Sequence, residues 1–116
     1  MDHQDLLSGF VKFHILHHAA EGEIYGLWMI EELSHHGYRI SSGTLYPMLH
    51  AMEKRGYLSS RHERSGKTFR RLYRATPLGC EALGAAEVRL RELFREVVEK
   101  DPAVSPRSTA AAAHRI

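Results

Sequence analysis

The sequence predicts a mainly α-helical fold with one small β-hairpin and a long final helix. Three observations lead to this fold class. Three apolar segments with helical periodicity come first, two β-prone runs then enclose a glycine, and a proline-initiated apolar pattern follows. The 116 residues suffice for one folded domain. With 43% hydrophobic and 26% charged residues, the composition is typical of a globular chain rather than a disordered one.

The first two predicted helices supply apolar surface for a core. Residues 6–20 are apolar around most of the helical circumference, which is typical of a helix that packs against more than one neighbour. A second helix is predicted from Ile24 to His36, and Gly37 provides its C-terminal stop.

The third predicted helix, over residues 42–55, has one apolar face and one open face. Ser41 precedes it as a candidate N-cap, and Gly56 ends it. The residues at i, i+3, i+4 and i+7 form the inward stripe, which consists of Leu45, Met48, Leu49 and Met52. The opposite face presents Gly43, Tyr46, Pro47, His50 and Lys54.

Two β-prone runs, residues 57–64 and 68–75, are predicted to form a hairpin with a three-residue loop over 65–67. The hairpin is strongly basic. Residues 61–74 contain six Lys or Arg and one Glu, a net charge of +5, whereas residues 1–60 carry a net −3. This segregation indicates a local anionic partner, and nucleic-acid phosphate is the commonest one. The alternative is a solvated basic hairpin without a partner.

A fourth helix is predicted over residues 77–100, because Thr76 is a good N-cap and Pro77 suits the first helical position. Its length of about 24 residues, or ~36 Å, exceeds what a small domain needs to cover its own core. We therefore expect its apolar seam to meet a second subunit; the alternative is a monomer with this helix folded back. The residues of this seam recur at alternating intervals of three and four positions, and they are Leu83, Ala86, Leu90, Leu93 and Val97. Phe94 and Val98 widen the seam.

Three helices, a basic hairpin and a long helix follow one another in the order of a winged helix-turn-helix. In that architecture the third helix enters the DNA major groove and the hairpin, called the wing, approaches the backbone. We therefore predict a winged helix-turn-helix DNA-binding domain over residues 1–76, a dimerisation helix over 77–100 and a flexible tail over 101–116.

The predicted DNA contacts fall into two groups. Outward side chains of the third helix that would read base edges are Thr44, Tyr46 and His50, although Tyr46 could instead only cap the domain surface. Candidate phosphate ligands near the wing tip are Arg64, Lys67 and Arg70. The remaining wing arginines, which are candidates for salt bridges with acidic side chains of the helices, are Arg61, Arg71 and Arg74.

The run Ser42-Gly43-Thr44-Leu45-Tyr46-Pro47-Met48-Leu49 resembles the signature of PadR-type transcriptional regulators. The segment from Arg71 to Gly79 resembles the second wing strand and last-helix start of that family, and residues 6–9 fit its opening. This resemblance, over roughly residues 6–100, implies a homodimeric winged-helix regulator, usually a repressor released by a small molecule. A single helix after the wing points to the shorter subfamily.

The resemblance also implies site residues and partners. In the third helix and the wing, the DNA-facing positions would be Ser41, Gly43, Thr44, Tyr46, Ser65, Gly66 and Lys67. The first helix would pack the dimer together with Leu90, Leu93, Phe94 and Val97. The partner would be double-stranded DNA with a roughly two-fold symmetric operator. Family members often hold a ligand at the dimer interface, but no motif here identifies one.

Nine histidines are many for a chain of this length. His14 and His18 lie four residues apart on the first helix, a spacing that lets one helix face hold a metal ion. PadR-type regulators usually have aliphatic residues near position 14. Two alternatives are hydrogen-bonded or water-facing interface histidines and a pH-sensing role. Trp28 is a candidate for lining an effector pocket, and otherwise for the core.

Other function classes find little support. We expect no enzyme and no cofactor, because the sequence has neither a glycine-rich phosphate loop nor a Ser–His–acid arrangement. A single cysteine, Cys80, excludes an internal disulfide and fits an intracellular protein. No apolar run approaches the roughly 18 residues of a membrane span, so we predict no membrane partner and a cytoplasmic location. A winged-helix module that binds an acidic protein, or a metal- or pH-responsive regulator, remains an alternative function.

Overall fold

The computed structural model describes residues 3–100, and the predicted tail over 101–116 lies outside them. The elements in chain order are α1 (Gln4–Glu21), α2 (Gly26–His35), α3 (Ser42–Lys54), β1 (Leu58–Ser65), β2 (Thr68–Ala75) and α4 (Pro77–Leu93), which continues into a π-helical segment (Phe94–Glu99). The predicted fold class, mainly helical with one antiparallel hairpin, is therefore confirmed. None of the helices within this range is long and apolar enough to cross a membrane.

The core forms where α1 meets α2 and β2, as the apolar circumference of α1 predicts. Ile15 of α1 is fully buried, and so are Met29 and Leu33 of α2. The inward stripe of α3 is confirmed at Leu45, Leu49 and Met52, which are buried, while Met48 is half-buried. By contrast, α1 keeps two large apolar side chains at the surface, namely Leu6 and Phe10.

The start of α2 differs from the sequence prediction, which placed Ile24 inside the helix. Ile24 instead pairs with Tyr73 of β2 as an isolated β-bridge, with backbone N–H···O distances of 2.9 and 2.8 Å. Ile24 satisfies its backbone N–H and C=O with a strand rather than a helix, and α2 begins at Gly26 after an extended Tyr25. Gly26 lies against α3, since an added Cβ would overlap the ring of Tyr46.

The loop of the hairpin is one residue shorter than predicted. Ser65 pairs with Thr68, so the loop contains two residues, Gly66 and Lys67, and not three. Gly66 has φ +65°, and glycine at the first position of a two-residue loop adopts this backbone conformation without steric cost. Leu58 and Tyr73 are buried at the other end of the hairpin, where it joins the core.

The N-cap predicted for α4 is confirmed. The Thr76 hydroxyl accepts a hydrogen bond from the Gly79 N–H at 2.9 Å and donates one to the Gly56 carbonyl at 2.5 Å. Gly79 is buried, and an added Cβ would overlap the carbonyl oxygen of Tyr57. The predicted helical extent is also confirmed, but its last turns over Phe94–Glu99 are π-helical.

The chain forms two compact units, one extending to Leu83 and one beginning at Gly84. Leu83 packs against the core of the first unit. In the described part of the second unit, residues 84–100, the large apolar side chains are exposed, and these are Val88, Leu90, Leu93, Phe94, Val97 and Val98.

Candidate nucleic-acid interface

The outer face of α3 is open and carries small polar groups. Ser41, Gly43 and His50 are exposed, and Thr44 is half-buried. The Ser41 hydroxyl lies 3.4 Å from the Thr44 hydroxyl, so the two side chains form one polar edge at the start of the helix. An added Cβ at Gly43 would meet only the Ser41 Oγ, at 3.7 Å. Packing inside the protein therefore does not require glycine at this position.

Tyr46 differs from its neighbours on this face because it also contributes to the core. Its ring is half-buried, packs against the hydrophobic cluster and fills the space beside Gly26. This contact joins α3 to the first turn of α2. Tyr46 thus fixes the orientation of the helix that carries the exposed positions.

The wing has two parts, which we call the wing tip (residues 64–69) and the wing base (58–63 and 70–75). At the wing tip Arg64, Gly66 and Lys67 are exposed. The Arg64 Nε donates a hydrogen bond to the Gly66 carbonyl at 3.1 Å, and its guanidinium lies 5.4 Å from the Phe69 ring centre. Within residues 3–100, no carboxylate lies within 4.0 Å of the charged groups of Arg64 or Lys67. Both cations are therefore available to an anion.

At the wing base, acidic side chains lie beside Arg61, Arg70 and Arg71, whereas the salt bridge predicted for Arg74 is not found, since no carboxylate of residues 3–100 lies within 4.0 Å of it. Arg61 forms a bidentate pair with Glu23, with N···O distances of 2.7 and 2.8 Å. The hydrogen bond from Arg61 lowers the pKa of the Glu23 carboxyl. Arg71 lies 3.9 Å from a Glu53 carboxylate oxygen, which agrees with the salt bridge predicted from the sequence.

Arg70, which the sequence predicts to bind phosphate near the wing tip, lies in the wing base. Its guanidinium is 4.3 Å from the ring centre of Tyr25 and 3.7 Å from a carboxylate oxygen of Glu63. A cation held by a ring and an acid is less available to DNA than one in water.

Sequence reasoning missed the contacts that hold the wing in place. Glu23 and Ile24 lie in the link between α1 and α2, and they pair with Arg61 and Tyr73 respectively. These pairs connect the link between α1 and α2 to both wing strands. The partners lie far apart along the chain, so no local sequence pattern could have revealed them.

The predicted metal candidates His14 and His18 belong to a larger histidine cluster. The His14 ring centre lies 6.4 Å from that of His18 and 5.0 Å from that of His36. Partial burial lowers the pKa of His14, and the neighbouring His36 and His18 lower it further. Trp28 lies edge-on to His18, with ring centres 5.3 Å apart, and is half-buried against the core.

A cleft of about 260 Å³ opens between α1, residues 37–40 and α3. Its lining is mostly apolar and includes Val11, Ile40 and Met48, together with the polar side chain of Ser8. Trp28, the effector candidate from the sequence, is not among the residues that line it.

Three helices followed by an antiparallel wing, with an open polar face on the third helix, define a winged helix-turn-helix protein. The comparisons with known proteins agree. The model of the Transcriptional regulator PadR-like family matches residues 15–85. The chain is 52% identical over 88 residues to "Transcriptional regulator Rv3488" of Mycobacterium tuberculosis, covering 76% of this chain and 82% of that protein. The chain therefore belongs to the PadR-like family of transcriptional regulators, as the sequence resemblance indicated.

Solved structures support the same assignment. A PadR family transcriptional regulator from Eggerthella lenta superposes with a TM-score of 0.73 at 29% identity, covering 82% of this chain and 84% of that chain. A transcriptional regulator from Clostridium thermocellum gives 0.69 at 30% identity, covering 84% and 97%. Because the family and these relatives are transcriptional regulators, the expectation that the protein is not an enzyme is also confirmed.

Proposed function

We propose that this transcriptional regulator is a homodimeric repressor that binds a roughly two-fold symmetric operator. In this proposal α3 enters the major groove, and the wing tip contacts the flanking phosphate backbone. The observation that carries it is the contrast within the wing. Three arginines of the wing base, Arg61, Arg70 and Arg71, lie within 4.0 Å of a carboxylate, whereas Arg64 and Lys67 at the tip have no carboxylate of the described chain within that distance.

The wing contact is tested by the salt dependence of binding. DNA fragments are first selected from a random pool with the purified protein, and affinity is then measured between low and physiological salt. Each lost phosphate contact should lower the magnitude of the log–log salt slope by about 0.9. We expect this change for Lys67→Ala but not for Lys12→Ala, which removes one exposed cation from α1. Equal losses in both variants would contradict a specific wing contact.

The α3 contact is tested by Gly43→Ala. In an exposed helical position alanine should stabilise the folded protein by about 0.5–1 kcal/mol relative to glycine. If this bare surface lies against DNA, the added methyl should lower operator affinity by roughly tenfold, in line with an overpacking cost of about 1–3 kcal/mol. The two effects have opposite signs, so reduced binding cannot result from unfolding. Unchanged affinity would remove Gly43 from the DNA-facing surface.

The exposed seam of α4 supports the dimer. Leu93 and Phe94 are 48% and 47% exposed, and Val97 is 59% exposed. Monomeric soluble proteins rarely leave such a continuous apolar row in water. We expect light scattering to give the mass of two subunits for the wild type and of one subunit for Leu93→Asp/Val97→Asp. A wild-type mass of one subunit at binding concentrations would refute the dimer.

Release by a small molecule is the remaining part of the proposal. The cleft between α1 and α3 supports it, because a ligand there would touch Met48 on the helix assigned to DNA. Apolar walls with a few polar groups are typical of small-molecule sites. A reporter driven by the selected operator should be repressed by the protein. Met48→Trp fills the cleft, so a small molecule should no longer relieve this repression. Activation of the reporter by the unliganded protein would contradict repression.

A further inference from the structure

The last turn of α1 brings together three side chains with metal-binding atoms. His17, His18 and Glu21 each offer one ligand atom, and these atoms all lie within 4.8 Å of one another. The His17 Nε2 is 3.5 Å from one Glu21 oxygen, and the His18 Nδ1 is 3.9 Å from the other. The helical spacing in the sequence predicts instead that His18 shares a metal ion with His14, one turn earlier.

These separations suit a small divalent ion. Zinc binds histidine nitrogen and carboxylate oxygen at about 2.0–2.2 Å in a tetrahedral arrangement, which places neighbouring ligand atoms about 3.3 Å apart. The largest separation must therefore close by up to about 1.5 Å for the three atoms to share an ion, and rotation of the exposed His17 and Glu21 side chains can bring them together. Two imidazoles and one carboxylate form a ligand set that suits zinc and related transition metals, whereas magnesium and calcium prefer oxygen alone.

A second carboxylate orients the central histidine. The His18 Nε2, on the side of the ring opposite Nδ1, lies 3.4 Å from a Glu32 oxygen of α2. The same Glu32 oxygen lies 3.0 Å from the His36 Nε2. Metal-binding histidines almost always donate their second ring N–H to such a group, which fixes the tautomer and the ring direction. Trp28 packs edge-on against the same ring. The direction of His18 is thus set from a separate helix.

We propose that the last turn of α1 binds one zinc-class divalent transition-metal ion through His17, His18 and Glu21. Glu32 acts as a positioning residue that holds the His18 ring with Nδ1 toward the ion. Three protein ligands leave one tetrahedral position for water. This position can face solvent, because the side chains of His17 and Glu21 are 46% and 65% exposed.

The test is zinc titration of the metal-free full-length protein by calorimetry, with bound zinc counted after gel filtration. We expect one ion per subunit. His17→Gln and Glu21→Gln should each abolish stoichiometric uptake, and both positions are exposed enough for the variants to fold normally. His35→Gln, which changes another exposed histidine at the end of α2, should bind zinc like the wild type. Glu32→Gln should weaken binding by about 10–100-fold without changing the stoichiometry.

Three results would overturn the site. The first is no stoichiometric uptake by the wild type, which would leave Glu21 as an ion-pair partner of the histidines only. The second is unchanged uptake by His17→Gln and Glu21→Gln. The third is loss of uptake in His14→Gln with retention in His17→Gln, which would place the ion between His14 and His18. All measurements are made without DNA, so their outcome does not depend on the proposed operator binding.

Discussion

The wing base and the wing tip belong to the same two strands, yet they are held in different ways. In the base, Tyr73 is fully buried and pairs through its backbone with Ile24, and Arg61 pairs with Glu23. At the tip, Phe69 is 62% exposed, and Arg64 contacts only other wing residues in the interactions described above. Basic residues of one hairpin thus have different roles. Distance from the core determines which of them support the fold and which can meet a ligand.

The largest expected effect comes from breaking the wing base at Tyr73. Tyr73→Ala removes a fully buried aromatic ring, and such truncations typically cost about 3–5 kcal/mol of unfolding free energy. Tyr73→Phe is the control, because it keeps the ring and should change stability by about 1 kcal/mol or less. Urea denaturation followed by circular dichroism measures both. Similar small losses in the two variants would show that the wing base is not anchored by this ring.

How far the sequence could predict this molecule depends on the distance between interacting residues. Helix ends could be predicted because their signals are local: Gly37 and Gly56 have φ values of +89° and +88°, and Thr76 caps α4. The bridge from Ile24 to Tyr73 joins separate elements, and a helical pattern placed Ile24 in α2 instead. The wing loop was predicted one residue too long because pairing register depends on both strands at once.

The candidate sites follow the same rule. Concentrated charge in the wing was visible in composition, but only the fold separates cations that have acidic partners from those that do not. For the histidines, helical spacing connected His14 with His18. Spacing along one helix does not show that Glu32 of α2 lies beside the His18 ring. Nor does it show that the ligand atoms of His18 lie close to those of His17 and Glu21.

The next effect in size concerns the close contact that joins α4 to the residue before β1. A Cβ at Gly79 would overlap the Tyr57 carbonyl oxygen, so Gly79→Ala must displace backbone. We expect a loss of about 1–3 kcal/mol of unfolding free energy. Gly84→Ala in the same helix is the matched control, since open space surrounds that position. It should stabilise by about 0.5–1 kcal/mol. Equal shifts of the urea midpoint in both variants would mean that helix propensity alone matters here.

A smaller effect is expected from the ion pair that fixes the wing base. Arg61 lowers the pKa of the Glu23 carboxyl, so the folded state favours the ionised acid. This stabilisation is present above the ordinary carboxyl value of 4.5 and is lost as the pH falls through the lowered folded-state pKa. Glu23→Gln should therefore be less stable than the wild type at pH 7, and the difference should shrink as the pH falls below 4.5. A difference that stays constant across this pH range would mean that the charge of Glu23 contributes nothing.

The smallest effect on stability is expected at the wing tip. Lys67 is exposed in a two-residue loop, and no carboxylate within residues 3–100 lies close enough to form an ion pair with it. Surface substitutions of this kind usually change unfolding free energy by less than about 0.5 kcal/mol. Lys67→Ala should therefore match the wild type in urea denaturation while losing salt-dependent DNA affinity. Arg61→Ala, made in parallel, should lower stability because it leaves Glu23 without its partner. If Lys67→Ala were the less stable of the two, the tip would also support the fold, and the division between wing base and wing tip would be wrong.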